Sequence, residues 1–170
     1  PEASALDSLA PKYAVACLEE ARAIRETGLT QPVVLLQGVH AEADIAECAR
    51  SGFEPVFHSF QQLAWLERLD TWPAFWLKVN SGMNRLGFHP DELAGVMSRL
   101  QAMSADTELL GFVTHLACAD DPDSAMTAQQ TAVFEKATSS FPDLMKSVAN
   151  SAAHFRPGQP MFDWSRPGIM

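Results

Sequence analysis

At 170 residues, 47% of them apolar, the chain is long enough to bury one sizeable core, and its formal charge of −9 excludes nucleic acid and anionic membrane as principal partners. No apolar run approaches the ~20 residues of a membrane-crossing helix, and no cationic-then-apolar leader opens the chain. Cys17, Cys48 and Cys118 are odd in number and lack C-x-x-C spacing, which predicts reduced thiols filling a core in a cytoplasmic protein. The first residue is Pro1 rather than methionine, so a start inside a longer gene product is expected.

Short β-rich runs then alternate with helical stretches. Residues 13–16 read as a strand, followed by a helix over 18–26 that Gly28 stops. Pro32–Leu36 is a continuous apolar strand, as expected where both faces are buried. A helix over 42–51 places Ile45, Cys48 and Ala49 on one face and ends at Gly52. A third strand, 55–57, precedes a helix over 61–69. Phe75–Val79 is the fourth strand, and the helix from Pro90 to about Ala102 buries Leu93, Val96, Met97 and Leu100. A fifth strand at 109–114 leads to a helix over 124–139 with Met126, Val133 and Phe134 buried. Residues 146–150 and 162–166 are the sixth and seventh strand candidates. Repeated βα units mean a parallel sheet, and no Gly-rich dinucleotide loop follows the first strand. Seven strands are one short of an eight-stranded β/α barrel, so the expected fold class is α/β, an incomplete (β/α)8 TIM-type barrel.

Chemistry in such a barrel sits where strands end. The fourth strand carries Lys78 among apolar residues and breaks at Ser81-Gly82, and Arg85 follows seven residues on. Burying a lone ammonium costs several kcal/mol unless an anion meets it; the alternative is an edge strand with a snorkelling amine. His115 closes the fifth strand as a ring-stacking or hydrogen-bonding group, or as an ordinary loop histidine. Asn150 and Ser151 end the sixth strand, where a hydroxyl and free N–H groups suit a phosphate, although turn chemistry explains them equally. Arg166 offers a fixed fork for a ring nitrogen or an acid, and the N–H groups of Gly168 and Ile169 suit an anion nest; an exposed turn is the alternative. His40 and His58 are secondary candidates at strand ends. His89 flanks a helix start and His154 lies in a loop. No metal-binding spacing and no nucleophile elbow are present, and Asp120-Asp-Pro-Asp123 reads as a helix cap. The set as a whole suits an anionic ligand with a polar ring or a carboxylate.

These residues in this order resemble alanine racemase. The resemblance rests on Ala14-Val-Ala-Cys-Leu-Glu-Glu-Ala21, Trp76-Leu-Lys-Val-Asn-Ser-Gly-Met-Asn-Arg-Leu-Gly87, Thr114-His-Leu-Ala-Cys-Ala-Asp120, Asn150-Ser-Ala-Ala153 and Asp163-Trp-Ser-Arg-Pro-Gly-Ile169. It implies a pyridoxal 5'-phosphate enzyme that interconverts L- and D-alanine, supplies D-alanine to peptidoglycan, and works as a head-to-tail homodimer of a barrel domain and a β-rich domain. It implies that Arg85 contacts the phenolic oxygen of the cofactor and the substrate, and that Lys78 is the lysine this family often carbamylates. His115 would stack beside the ring and hydrogen-bond Arg166, which donates to the ring nitrogen. Ser151, Gly168 and Ile169 would bind the phosphate, with Asn150 on the same wall.

The family's Schiff-base lysine lies in a Lys-Ala-Asn-Ala-Tyr-Gly-like segment that has no match here. The lysines present are Lys12, Lys78, Lys136 and Lys146, and Tyr13 is the one tyrosine. The expectation is therefore barrel strands two to eight without the C-terminal β domain, inactive alone, from a parent that racemises alanine. Two alternatives are a related pyridoxal-phosphate racemase or decarboxylase acting on another amino acid, and a degenerate, non-catalytic barrel.

Overall fold

The computed structural model describes residues 10–103 and 108–168. Among them, seven strands follow one another in chain order, β1 Tyr13–Val15, β2 Val33–Leu35, β3 Phe53–Phe57, β4 Phe75–Lys78, β5 Leu109–Val113, β6 Met145–Asn150 and β7 Trp164–Arg166. Helices α1 Leu18–Glu26, α2 Glu42–Ser51, α3 Phe60–Leu66, α4 Leu93–Met103, α5 Met126–Thr138 and α6 Ser151–His154 alternate with them. The fold is thus α/β, an incomplete β/α barrel. All seven expected strands form, with shifted bounds: β3 starts earlier, at Phe53, β7 later, at Trp164, and α3 spans Phe60–Leu66 rather than 61–69. A 3-10 turn, Pro90–Glu92, opens the helix expected from Pro90.

The backbone divides into two compact units, the first holding residues 10–76 and 108 and the second residues 77–103 and 109–168. In the first, β1, β2 and β3 pair in parallel, with Tyr13, Val33 and Phe53 in register. Every residue of β3 is buried, including Glu54. Burial of that carboxylate is offset by Lys12, 2.5 Å away, and by Trp76 Nε1, which donates at 2.9 Å. Cys48 lies in this core, and burial pushes its thiol up to about 12, which leaves it inert. Cys17 and Cys118 are only half-buried, so the core role expected of all three cysteines holds fully for one.

In the second unit, β5, β6 and β7 pair in parallel. Gly111 of β5 faces Met145 of β6 so closely that an added Cβ would lie 2.0 Å from the Met145 carbonyl oxygen. The pairing of β6 with β7 runs from Ser147↔Trp164 to Asn150↔Arg166, three steps on one strand against two on the other. The extra residue bulges β6, and such irregularities re-aim side chains. Here it brings Arg166 level with Asn150. Helix α5 buries Thr127, Gln130, Thr131, Phe134 and Thr138. Val133, expected inside, is 39% exposed, because it lies off the stripe spaced i, i+3, i+4 and i+7 that faces the core.

Candidate functional site

Lys78 ends β4, with 8% of its surface exposed. No carboxylate lies within ion-pair distance of it among the described residues. Burial, then Arg85 and Arg166, push its amine down to about 8. The chain beyond β4 makes a tight loop. Asn80 Oδ1 accepts from the N–H groups of Gly82 and Asn84, at 3.2 and 3.0 Å, an Asx arrangement that curls the backbone. Phe88 N then donates to the Lys78 carbonyl at 2.8 Å and closes the loop against its own strand. Gly87, at φ 122°, is required there, since a Cβ would meet Asn80 N at 2.7 Å. Arg85 is exposed on this loop.

His115 follows β5 and is half-buried. Burial lowers its imidazole to about 4, and Arg166, Arg85 and Lys78 add to the effect, so the ring is neutral at neutral pH. Arg166 is held by three bonds. Nη1 donates to Ser147 Oγ at 2.5 Å, and Nη2 donates to the carbonyls of Thr114 (2.7 Å) and Val148 (3.3 Å). Two of the five N–H groups of a guanidinium are left over. Burial lowers its pKa to about 10, so it remains charged at neutral pH. The His115–Arg166 hydrogen bond implied by the resemblance does not form; the guanidinium takes the carbonyl of Thr114, one residue earlier. Lys78, Asn80, Ser81, Arg85, Thr114 and His115 line one open depression.

Asn150 caps α6, its Oδ1 accepting from Ala153 N at 3.0 Å, and its Nδ2 donates to the Leu116 carbonyl at 3.2 Å. Its amide is thus occupied in holding the β6 end, where the resemblance expects it to line the cofactor wall. Ser151 Oγ accepts from Gly168 N at 2.8 Å, so these two anion-binding candidates stand together, but the Gly168 N–H is not free for a nest. Ile169 lies outside the described residues. Helix α6 has only four residues, too few for a substantial dipole. Of the secondary candidates, His40 is exposed, and a ring nitrogen of His58 lies 3.1 Å from the Gln37 carbonyl. In the acidic loop Asp121 Oδ1 accepts from Asp123 N at 3.0 Å, and α5 begins only at Met126.

Three supporting residues escaped the sequence reading. Ser147 and Thr114 hold Arg166, and Gln130 on α5 ties loops together from beneath. The polar residues Thr127, Gln130 and Thr131 at inward helical spacing were a readable sign, because a core-facing amide must find partners.

Residues 2–170 match the family model described as alanine racemase, N-terminal domain. The chain is 59% identical to the alanine racemase of Marinobacter nauticus over 170 aligned positions, which cover 98% of this chain and 47% of that protein. The solved alanine racemase of Acinetobacter baumannii superposes with a TM-score of 0.89 at 35% identity, covering 99% of this chain and 47% of that one. The biosynthetic alanine racemase of Pseudomonas aeruginosa gives 0.88 at 33%, covering 98% and 46%. The chain thus spans about half the length of the curated relatives it matches.

Proposed function

Because this chain belongs to the alanine racemase family, through the N-terminal domain that residues 2–170 match, we propose that the whole protein interconverts L- and D-alanine with pyridoxal 5'-phosphate. In the cell this reaction supplies D-alanine for peptidoglycan, from a cytoplasmic homodimer. One observation carries the reading: Lys78, Arg85 and His115 line one depression, Arg166 is bonded to the Thr114 carbonyl beside them, and no acid among the described residues forms an ion pair with any of them. That donor set fits a cofactor bearing a phosphate, an ionised ring oxygen and a ring nitrogen.

Ser151 would hold the phosphate, joined by the N–H groups of Ile169 and of Gly168 once the Gly168 bond to Ser151 Oγ opens, and Asn150 fixes the end of β6. Arg166, charged and anchored by three bonds, turns its remaining N–H groups to the ring nitrogen and keeps a proton off it. His115, neutral at neutral pH, lies beside the ring without repelling Arg166. Arg85, on its Asx-clamped loop, meets the ring oxygen and the substrate carboxylate. Bound pyridoxal phosphate supplies an electron-withdrawing ring that lets an attached amino acid lose and regain its Cα proton. Lys78 is the carbamylated lysine: its neutral amine adds to carbon dioxide, forms an N–C bond, releases one proton and becomes the anion that faces Arg85. Lys12 is committed to Glu54, and neither Lys136 on α5 nor Lys146 in β6 belongs to this cluster, so none of these three bears the cofactor.

Racemisation by the whole protein is tested with pyridoxal phosphate and alanine, serine or lysine, followed by chiral chromatography. Turnover fastest on alanine is expected. Faster turnover of serine or lysine means a broader racemase, released carbon dioxide a decarboxylase, and tight cofactor binding without turnover a degenerate barrel. The 170-residue chain alone is expected to be inactive and, after borohydride reduction with pyridoxal phosphate, to carry no stoichiometric lysine adduct; a single adduct on Lys78 would refute the assignment. With 13C-bicarbonate at pH 8, the parent chain is expected to show a carbamate carbon resonance that Lys78→Arg lacks.

A further inference from the structure

Gln130 sits in the middle of α5 with 1% of its surface exposed, and every polar atom of its side chain is used. Its Nε2 donates to the His115 carbonyl at 3.0 Å and to Ser81 Oγ at 3.4 Å, and its Oε1 accepts from Ala117 N at 2.9 Å. The direction of the rest of the network follows from proton count. Thr114 Oγ1 donates its one proton to the Val79 carbonyl at 2.9 Å. In its 2.8 Å contact with Ser81 Oγ, Thr114 must therefore accept. Ser81 in turn has spent its proton and must accept from Gln130. The chain runs one way, from Gln130 through Ser81 and Thr114 to the carbonyl next to Lys78. Packing is as tight as the bonding, since a Cβ on Gly82 would lie 3.3 Å from Gln130 Cγ.

A glutamate could accept from Ala117 but, ionised, could donate to neither His115 nor Ser81. An apolar residue could do none of the three. We propose that Gln130 is a positioning residue: its amide holds the His115 wall and the Lys78–Arg85 loop in fixed relation, so that both meet one ligand. The proposal deepens the reading of the site as a pyridoxal-phosphate wall and rests on it, yet the network can be tested without cofactor. His115 reports on it, because its titration depends on burial and on Lys78, Arg85 and Arg166, with no acid among its influences.

The test labels histidine rings with 13C in the full chain, assigns His115 through His115→Asn, and titrates the parent, Gln130→Met, Gln130→Glu and Ser81→Ala. The parent ring is expected to titrate near 4. In Gln130→Met it should rise by about one unit or more toward the ordinary 6.5. Ser81→Ala, the mildest cut, should shift it the same way by less, and decides the matter if the Gln130 variants do not fold. In the whole protein, Gln130→Met should weaken pyridoxal phosphate binding about tenfold or more, measured by fluorescence. Folded variants with an unshifted His115 overturn the proposal, including variants that lose thermal stability only, since Gln130 is then a core strut. A parent that binds no pyridoxal phosphate defeats the cofactor reading instead, and the His115 shift still judges the network.

Discussion

Lys78 is a buried amine facing cations, and its amine sits near 8 because burial and two guanidiniums all disfavour the charged form. An arrangement of this kind costs stability unless an anion arrives. Replacing Lys78 with methionine keeps the stem and removes the charge. In carbonate-free buffer at pH 7, Lys78→Met should therefore raise the urea-unfolding free energy by about 1–2 kcal/mol, whereas in bicarbonate the same variant should bind pyridoxal phosphate more weakly than the parent. A variant less stable than the parent would mean that the amine has found a partner in solution. The comparison separates the two demands on one residue, since the carbamate opposite Arg85 needs the amine and folding does not.

The elements present these groups through backbone detail that a side-chain list misses. Strand β5 reaches Thr114 and His115 in the correct place only because Gly111 lets β6 approach. Gly111→Ala would drive a methyl against the Met145 carbonyl, 2.0 Å from where its Cβ would start. The strands must part, and the expected loss is about 3 kcal/mol or more, read as a drop in urea midpoint. Gly95, on α4, has nothing within 4 Å of an added Cβ, so Gly95→Ala should stabilise by about 0.5–1 kcal/mol through helix propensity. Similar values for the two would show that β5 and β6 can yield. The bulge in β6 acts in the same way on Arg166, whose three anchoring acceptors, Ser147, Thr114 and Val148, lie on β6 or at the end of β5.

Across the chain, two depressed bases, His115 and Lys78, contribute to how stability responds to pH. His115 titrates near 4 when folded and near its ordinary 6.5 when unfolded, so between those values the unfolded state binds more protons. Its stabilising effect is complete above about 6.5 and is lost as pH falls toward 4. Lys78 has the same sign at higher pH, with stability rising from about 8 toward its ordinary 10.5. Unfolding free energies at pH 7 and pH 5 should show the parent losing about 1–2 kcal/mol more than His115→Asn over that interval. Equal losses would mean that the ring is protonated in the folded chain.

The order of elements and the strand-end residues Lys78, Arg85, His115, Ser151 and Arg166 could be read from the chain, because alternation of apolar runs and Gly or Pro stops are local properties. Burial of Lys78 was also readable, as a charge inside a run of Phe75, Trp76, Leu77 and Val79. The exposure of Val133, the capping duty of Asn150, the pairing of Ser151 with Gly168 and the polarity of the Gln130–Ser81–Thr114 chain were not. Each depends on which atoms from distant segments come within about 3 Å, the range where a hydrogen bond is made or lost. Spacing along one chain records helical and strand periods, but an acceptor such as the Thr114 carbonyl meets Arg166 only once the strands between them have paired.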